Sequence, residues 1–238
     1  MLLSSIPAAV MPQTEKKVFS ALNEPFVDIF NFSGEKILVD MKYYKAKRCG
    51  AINTAFVRLS VAEKLMKASA LLPNGYSFKI YDAWRPYDVQ KDIYDEYFGK
   101  LCADEENKGK SEDELHSIAK TFVSFPDRSA QFAYVHSSGG AVDLTIVDDS
   151  SKELDMGCGF DDFSHLAYTH SFESSDNNIV KNNRRLLYHV MTKSGFTNYP
   201  SEWWHYDFGD IFWSAFTENS KIYPSVYSYN DILRSKYD

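Results

Sequence analysis

The chain has 238 residues, 44% of them hydrophobic, with 17 Phe, 16 Tyr and 4 Trp. That length and aromatic content can bury one sizeable core and argue against disorder. The net charge of −7, without any cluster of Lys and Arg, argues against nucleic acid as a partner, because phosphate binding needs grouped cations.

Residues 1–20 read as an N-terminal arm. Met1 to Val10 is only faintly signal-like: it lacks a basic start, and Pro7 interrupts its short apolar stretch. Nothing in the chain approaches the roughly 18 apolar residues of a membrane span. Cys49, Cys102 and Cys158 are odd in number, far apart and form no C-x-x-C pair. They suit neither a disulfide framework nor a thiolate zinc site, and they fit a reducing compartment. The cytoplasm is therefore favoured over a periplasmic or secreted location.

Beyond the arm, residues 21–238 read as a single domain with no linker. Ile37–Met41 reads as a strand. Apolar residues at 61, 65, 68 and 72 predict a helix over Ser60–Leu72, with Ser60 and Glu63 as a capping box. Pro73-Asn74-Gly75 ends it, and Tyr76–Tyr81 alternates as a strand does. Pro86 fits the first turn of a helix over 87–98. The charged segment 103–114 reads as an exposed insertion leading to a helix near 113–123, with His116 exposed. Ala141–Val147 reads as a strand, Asn182–Lys193 as a helix stopped by Gly195 and containing a structural His189, and Trp203–Phe208 as a last strand. The order lacks βαβ regularity, so the fold class is α+β, a small, mostly antiparallel sheet flanked by helices.

His136-Ser137-Ser138-Gly139-Gly140-Ala141-Val142-Asp143 sets an imidazole and a carboxylate symmetrically about a Gly-Gly pair. If the glycines close a hairpin, the two residues face each other across the strands, about 4.5–5.5 Å apart at Cβ. Much later, Glu202-Trp203-Trp204-His205 puts a carboxylate three residues before a second imidazole. Together these residues are the inventory of a hydrolytic zinc site: His136, Asp143 and His205 as ligands, with Glu202 as a fourth ligand or as the base that takes a proton from water. His165 and His170, near Asp161 and Asp162, are rival ligands on spacing alone.

Taken together, His136-x-x-Gly139-x-Ala141-x-Asp143 and Glu202-x-x-His205 resemble the zinc D-alanyl-D-alanine dipeptidases. That family includes enzymes of vancomycin resistance and is related to the LAS-type D,D-carboxypeptidases and the hedgehog domain. Asp82-Ala83-Trp84-Arg85-Pro86, Leu154-Asp155-Met156-Gly157-x-x-Phe160-Asp161, Asn183-Arg184-Arg185-Leu186 and Ser194-Gly195-Phe196 extend the likeness over roughly residues 36–210, in the family's order. The resemblance implies a hedgehog/D,D-peptidase-like fold and one Zn²⁺ per chain held by His136, Asp143 and His205. It makes Glu202 the general base and then acid, places Arg85 at the oxyanion, and gives Asp161, with Tyr43, the substrate ammonium. Simpler readings exist for two of these residues: a surface Arg85 stacked on Trp84 or Tyr87, and Asp161 as a loop N-cap. The implied activity is hydrolysis of D-Ala-D-Ala or a similar D,D-dipeptide in peptidoglycan metabolism. Alternatives are a D,D-carboxypeptidase or endopeptidase on cell-wall peptides and a catalytically silent zinc-binding interaction module. The sequence departs from the family where Ser usually stands two residues before the first ligand, here Tyr134, and at Ser138, where the vancomycin-resistance type has Arg. These changes bear on the preferred dipeptide more than on the chemistry.

Overall fold

The computed structural model describes residues 3–13, 18–120, 123–162 and 164–234. In chain order the elements are β1 (Ser20–Ala21), β2 (Phe26–Asp28), α1 (Ile29–Ser33), β3 (Leu38–Val39), α2 (Lys42–Lys45), β4 (Phe56–Arg58), α3 (Leu59–Ser69), β5 (Ser77–Asp82), α4 (Tyr87–Ala103) and α5 (Glu112–Ala119). They continue with β6 (Ala141–Val147), α6 (Asn178–Lys193), β7 (Thr197–Asn198), β8 (His205–Asp207), α7 (Ile211–Thr217), β9 (Lys221–Ile222) and α8 (Tyr229–Arg234). The central sheet has the order β3-β5-β6-β8-β7. Only the β3–β5 pair is parallel. This is the expected α+β architecture with a mostly antiparallel sheet.

Period-two alternation divides the sheet into two faces. Val142, Leu144 and Ile146 of β6, Phe78 and Ile80 of β5 and Tyr206 of β8 join the main core with Val61 and Leu65 of α3 and Leu187 and Met191 of α6. The residues between them, Asp143 on β6 and His205 and Asp207 on β8, take the opposite face. A bulge between Ile80 and Asp82 puts Asp82 opposite Asp143. Unbroken alternation would have sent Asp82 to the core face with Ile80, so the bulge re-aims it.

Several local expectations give way to tertiary partners. The helix α3 begins at Leu59, and Ser60 does not cap it. Instead Glu24, far off in sequence, accepts the Ser60 backbone N–H at 2.9 Å and its hydroxyl at 2.8 Å, which places a carboxylate at the positive end of the helix. Pro86 lies one position before its helix, as the N-cap of α4. The α4 helix runs on to Ala103, and α5 opens with a capping box of Ser111 and Glu114. Residues 121–122, at the end of the helix expected near 113–123, lie outside the described residues. His116 is half-buried rather than exposed, stacked on Phe98 at 4.1 Å and hydrogen-bonded to the Tyr94 hydroxyl at 2.8 Å. The helix α6 starts four residues earlier than its periodicity suggested, capped by Asn177.

The expected Gly-Gly hairpin does not form. Val135–Ser138 is a 3₁₀ turn ending at Gly139 with φ +75°, and Asp143 pairs with His205 rather than with His136. Packing explains both glycines. A Cβ at Gly139 would lie 2.2 Å from the Phe26 ring, and one at Gly140 would lie 2.4 Å from the Phe208 carbonyl.

Of the N-terminal arm, residues 1–2 and 14–17 lie outside the described residues. Its first described residues lie on and beside α6: Arg185 donates to the Leu3 carbonyl, His189 to the Ser4 carbonyl, and the buried Ile6 donates its N–H to Glu173, whereas Ser20 pairs with Lys221 of β9.

Arg58 ties the turn before β6 to the rest of the fold. It is buried over the Phe26 ring and donates to the carbonyls of Ser138 at 2.7 Å, Glu24 at 2.7 Å and Pro224 at 2.9 Å. Arg58→Met strands one buried and two partly buried acceptors and should cost about 2–4 kcal/mol of stability. Urea unfolding would check this, and a loss below about 1 kcal/mol would show that water or relaxation satisfies those carbonyls.

Candidate active site

Three neighbouring strands set the site. Asp82 of β5, Asp143 of β6 and His205 of β8 are successive cross-strand partners, so they form a row on one face of the sheet. His136 enters from the preceding 3₁₀ turn and is pinned at the strand end. Its carbonyl accepts the Arg85 N–H at 3.1 Å, and its Nδ1 donates to the Ala83 carbonyl at 2.7 Å.

The hydrogen bonds fix which imidazole nitrogens are left free. With Nδ1 of His136 committed to a carbonyl, its Nε2 carries the lone pair. His205 is held in the opposite sense, with Nε2 donating to Asp207 at 2.8 Å and Nδ1 left facing the site. The two free nitrogens lie 3.2 Å apart. Asp143 closes the triangle at 2.9 Å from His205 Nδ1 and 3.4 Å from His136 Nε2. All three residues are buried, and their ligand-type atoms lie within 4.8 Å of one another. Two imidazole lone pairs facing each other beside a carboxylate need a cation or a proton between them. Ligand atoms 2.0–2.2 Å from a tetrahedral zinc are about 3.3–3.6 Å apart, so the donor set suits such an ion, and the 2.9 and 3.2 Å separations would have to open by a few tenths of an ångström to hold it.

Second partners support the row. Asp207 is fully buried, and beside it Asp210 caps α7 through the N–H groups of Phe212 and Trp213, both at 3.0 Å. Burial and the Asp207 charge hold the Asp210 carboxyl well above the usual carboxylate range.

Glu202 comes from the turn before β8, with its backbone N–H on the Tyr199 carbonyl and its Oε2 3.8 Å from His205 Nδ1. Desolvation, reinforced by Asp143 and Asp161 against the pull of His205, holds its carboxyl up at about 7. Arg85 is neither on the surface nor stacked on Trp84 or Tyr87. Its guanidinium lies 4.8 Å from the centre of the Tyr43 ring, donates from Nε to Asp82 and from Nη1 to Gln90, both at 2.8 Å, and brings Nη2 to 3.6 Å from Asp143. Although burial works against the charge, Tyr43, Asp82 and Asp143 keep it firmly protonated.

Asp161 sits at φ +58° in the loop after Gly157 and accepts from the Tyr43 hydroxyl at 3.0 and 3.2 Å. Burial lifts its carboxyl to about 7. Every residue expected at the site borders one cavity of about 120 Å³: Tyr43, Arg85, His136, Asp143, Asp161, Glu202 and His205. His165 does not. It is exposed in a separate 3₁₀ turn, and His170 lines a different, apolar cavity.

Sequence reasoning assigned no role to Asp82, Gln90 or Asp207. The signal for Asp207 was present, because His-x-Asp on a strand puts both side chains on one face. Gln90 carried none, since its contact with Arg85 depends on how α4 leaves the strand.

The model of the family described as Peptidase_M15, D-ala-D-ala dipeptidase, matches residues 33–224. A D-alanyl-D-alanine dipeptidase of Synechocystis sp. is 26% identical over 210 residues, 80% of this chain and 84% of the relative. One from Escherichia coli K12 is 29% identical over 164 residues, 69% of each chain. Among solved structures, a vancomycin resistance D,D-pentapeptidase VanY mutant in complex with Zn(II) is 18% identical, covers 77% of this chain and 86% of its own, and has a TM-score of 0.42.

Asp207→Ala should weaken binding of a divalent metal by about 10–100-fold, the usual effect of losing a carboxylate behind a ligating imidazole. Competition with a zinc chelator would measure it, and an unchanged affinity would mean that His205 does not need Asp207 to be held in place.

Proposed function

Because the chain belongs to the Peptidase_M15 family of D-ala-D-ala dipeptidases, we propose that it is a zinc metallopeptidase that hydrolyses D-Ala-D-Ala, or a similar D,D-dipeptide, to free D-amino acids. The observation that carries this reading is the convergence of three ligand-type atoms, a carboxylate and a buried guanidinium on one small cavity. His136 through Nε2, Asp143 through a carboxylate oxygen and His205 through Nδ1 would hold one Zn²⁺ per chain. Bound there, the ion supplies Lewis acidity that acidifies water and polarises a carbonyl.

The chain's own groups do the rest. Glu202 takes a proton from the attacking water onto its carboxylate and returns it to the amine nitrogen as the peptide C–N bond breaks. Arg85, braced by Asp82 and Gln90, presents Nη2 toward the carbonyl oxygen as negative charge develops there. Asp161, oriented by Tyr43, receives the free ammonium of the dipeptide. Tyr199, Trp204 and Phe212 line the same cavity and exclude water, which strengthens each of these charge contacts. The small volume, walled by α4 and the residues after α5, favours a dipeptide over a cell-wall strand. Such an activity would remove D-Ala-D-Ala from peptidoglycan synthesis or recover D-Ala from wall turnover.

Among the described residues no helix is long and apolar enough to cross a membrane. The unpaired thiols of Cys49, Cys102 and Cys158 favour the cytoplasm as the compartment.

Glu202→Gln should retain zinc and lower kcat by about 10²–10⁴-fold; D-Ala release together with metal content measures both, and near-normal turnover would remove Glu202 from the base role. Arg85→Ala should reduce kcat far more than it raises KM, as expected for a contact made chiefly in the transition state. An effect confined to KM would make Arg85 a binder of the ground state. The base works only as a carboxylate. In the metal-free site burial raises its pKa to about 7, and a Zn²⁺ held by His205 beside it would lower that value, so kcat/KM should fall with an acid limb at or below about pH 7. A profile without any acid limb that Glu202→Gln removes would contradict this assignment.

A further inference from the structure

A dipeptide is a zwitterion, and the groups discussed so far meet only one of its ends. Asp161 and Tyr43 answer the ammonium, Arg85 and Glu202 serve the scissile bond, and nothing yet answers the terminal carboxylate. A carboxylate taken into a small cavity without a cation or strong donors is costly.

Among the described residues lining the cavity, the Lys and Arg side chains are those of Arg85 and Lys120. Arg85 is already committed to Asp82, Gln90 and Tyr43. Lys120 follows α5 as its C-cap, and its Nζ lies 5.1 Å from the centre of the Phe125 ring with no carboxylate partner among the described residues. A chain of hydrogen bonds orders the wall between the two ends of the cavity. Tyr43 donates to Asp161, Arg85 reaches Tyr43 at 3.5 Å and Gln90 at 2.8 Å, and Gln90 donates to the Ser124 carbonyl at 2.7 Å. Asp161 stands at one end of that wall, and Lys120 and Ser124 stand at the other. The polarity matches a zwitterion laid across the scissile-bond groups, ammonium toward Asp161 and carboxylate toward Lys120. Ala119 before Lys120 and Val123 after it pack with Tyr94 of α4 in a small core of their own.

We propose that Lys120 is the receptor for the substrate's terminal carboxylate and thereby restricts the enzyme to dipeptides with a free C-terminus. This inference rests on the dipeptidase reading above.

The test compares zinc-loaded wild type, Lys120→Met and Lys120→Arg on D-Ala-D-Ala and on its C-terminal amide, D-alanyl-D-alaninamide. Wild type should prefer the acid by about tenfold in kcat/KM, the size of one charge-assisted contact partly screened by solvent. The preference should lie mainly in KM. In Lys120→Met the acid-to-amide ratio should fall toward one, and Lys120→Arg should keep most of it. A general structural defect would lower both substrates together and leave the ratio unchanged. Wild-type discrimination persisting in Lys120→Met would overturn the assignment while leaving the dipeptidase reading intact. Failure of zinc-loaded wild type to cleave either compound would overturn that reading, and the role of Lys120 with it.

Discussion

The site depends on one arrangement: a carboxylate at the middle of a sheet, flanked in register by an imidazole on one side and a second carboxylate on the other. Asp143 lies at the centre of that row, with His205 on β8 and Asp82 on β5 as its direct partners. Burial penalises its charge, but the two imidazoles hold its carboxyl well below the usual range. A group of this kind is tolerated in a sheet only where its neighbours compensate for lost hydration. Several further polar groups of the site fix the partners that surround it. Asp82 anchors Arg85, Asp207 orients His205, and the Ala83 carbonyl orients His136.

The loops around the row are held by buried arginines that bind carbonyls instead of carboxylates. Arg58 gathers the carbonyls of Ser138, Glu24 and Pro224. Arg184 does the same for Met156, Tyr168 and Leu166, at 2.7, 2.7 and 2.8 Å, and so clamps the loop that carries Asp161. A guanidinium suits this use because its planar fork satisfies several acceptors in fixed directions. The outcome is a site whose groups sit on the sheet and on loops tied to it through these arginines, an arrangement suited to preorganised catalysis.

Much of this was legible in the sequence. Alternation over Tyr76–Tyr81 and Ala141–Val147 reports strands directly, because side-chain direction on a strand has a period of two, although Ala141–Val147 proves to be buried on both faces. The chemical inventory was legible as well: His136, Asp143, Glu202 and His205 carry donor atoms that few other residue types offer. What failed was local geometry inferred from nearest neighbours in sequence. Gly139 and Gly140 suggested a hairpin, yet their lack of side chains serves close approach by Phe26 and Phe208. Ser60 and Glu63 suggested a capping box, yet Glu24 takes the helix end. In each case a residue distant in sequence outcompeted the near one, and no window of a few residues contains that information.

The sequence by itself determined the fold class, the positions of the main elements and the set of candidate groups for holding a metal and moving a proton, since these follow from periodicity and from side-chain chemistry. Only the tertiary structure decided that Asp143 faces His205 instead of His136, that a bulge turns Asp82 into the site, which nitrogen of each imidazole is free, and that Lys120 reaches the same cavity as Asp161. Those facts depend on strand register and on contacts between segments tens of residues apart, and register is fixed by burial of the whole sheet rather than by any one strand.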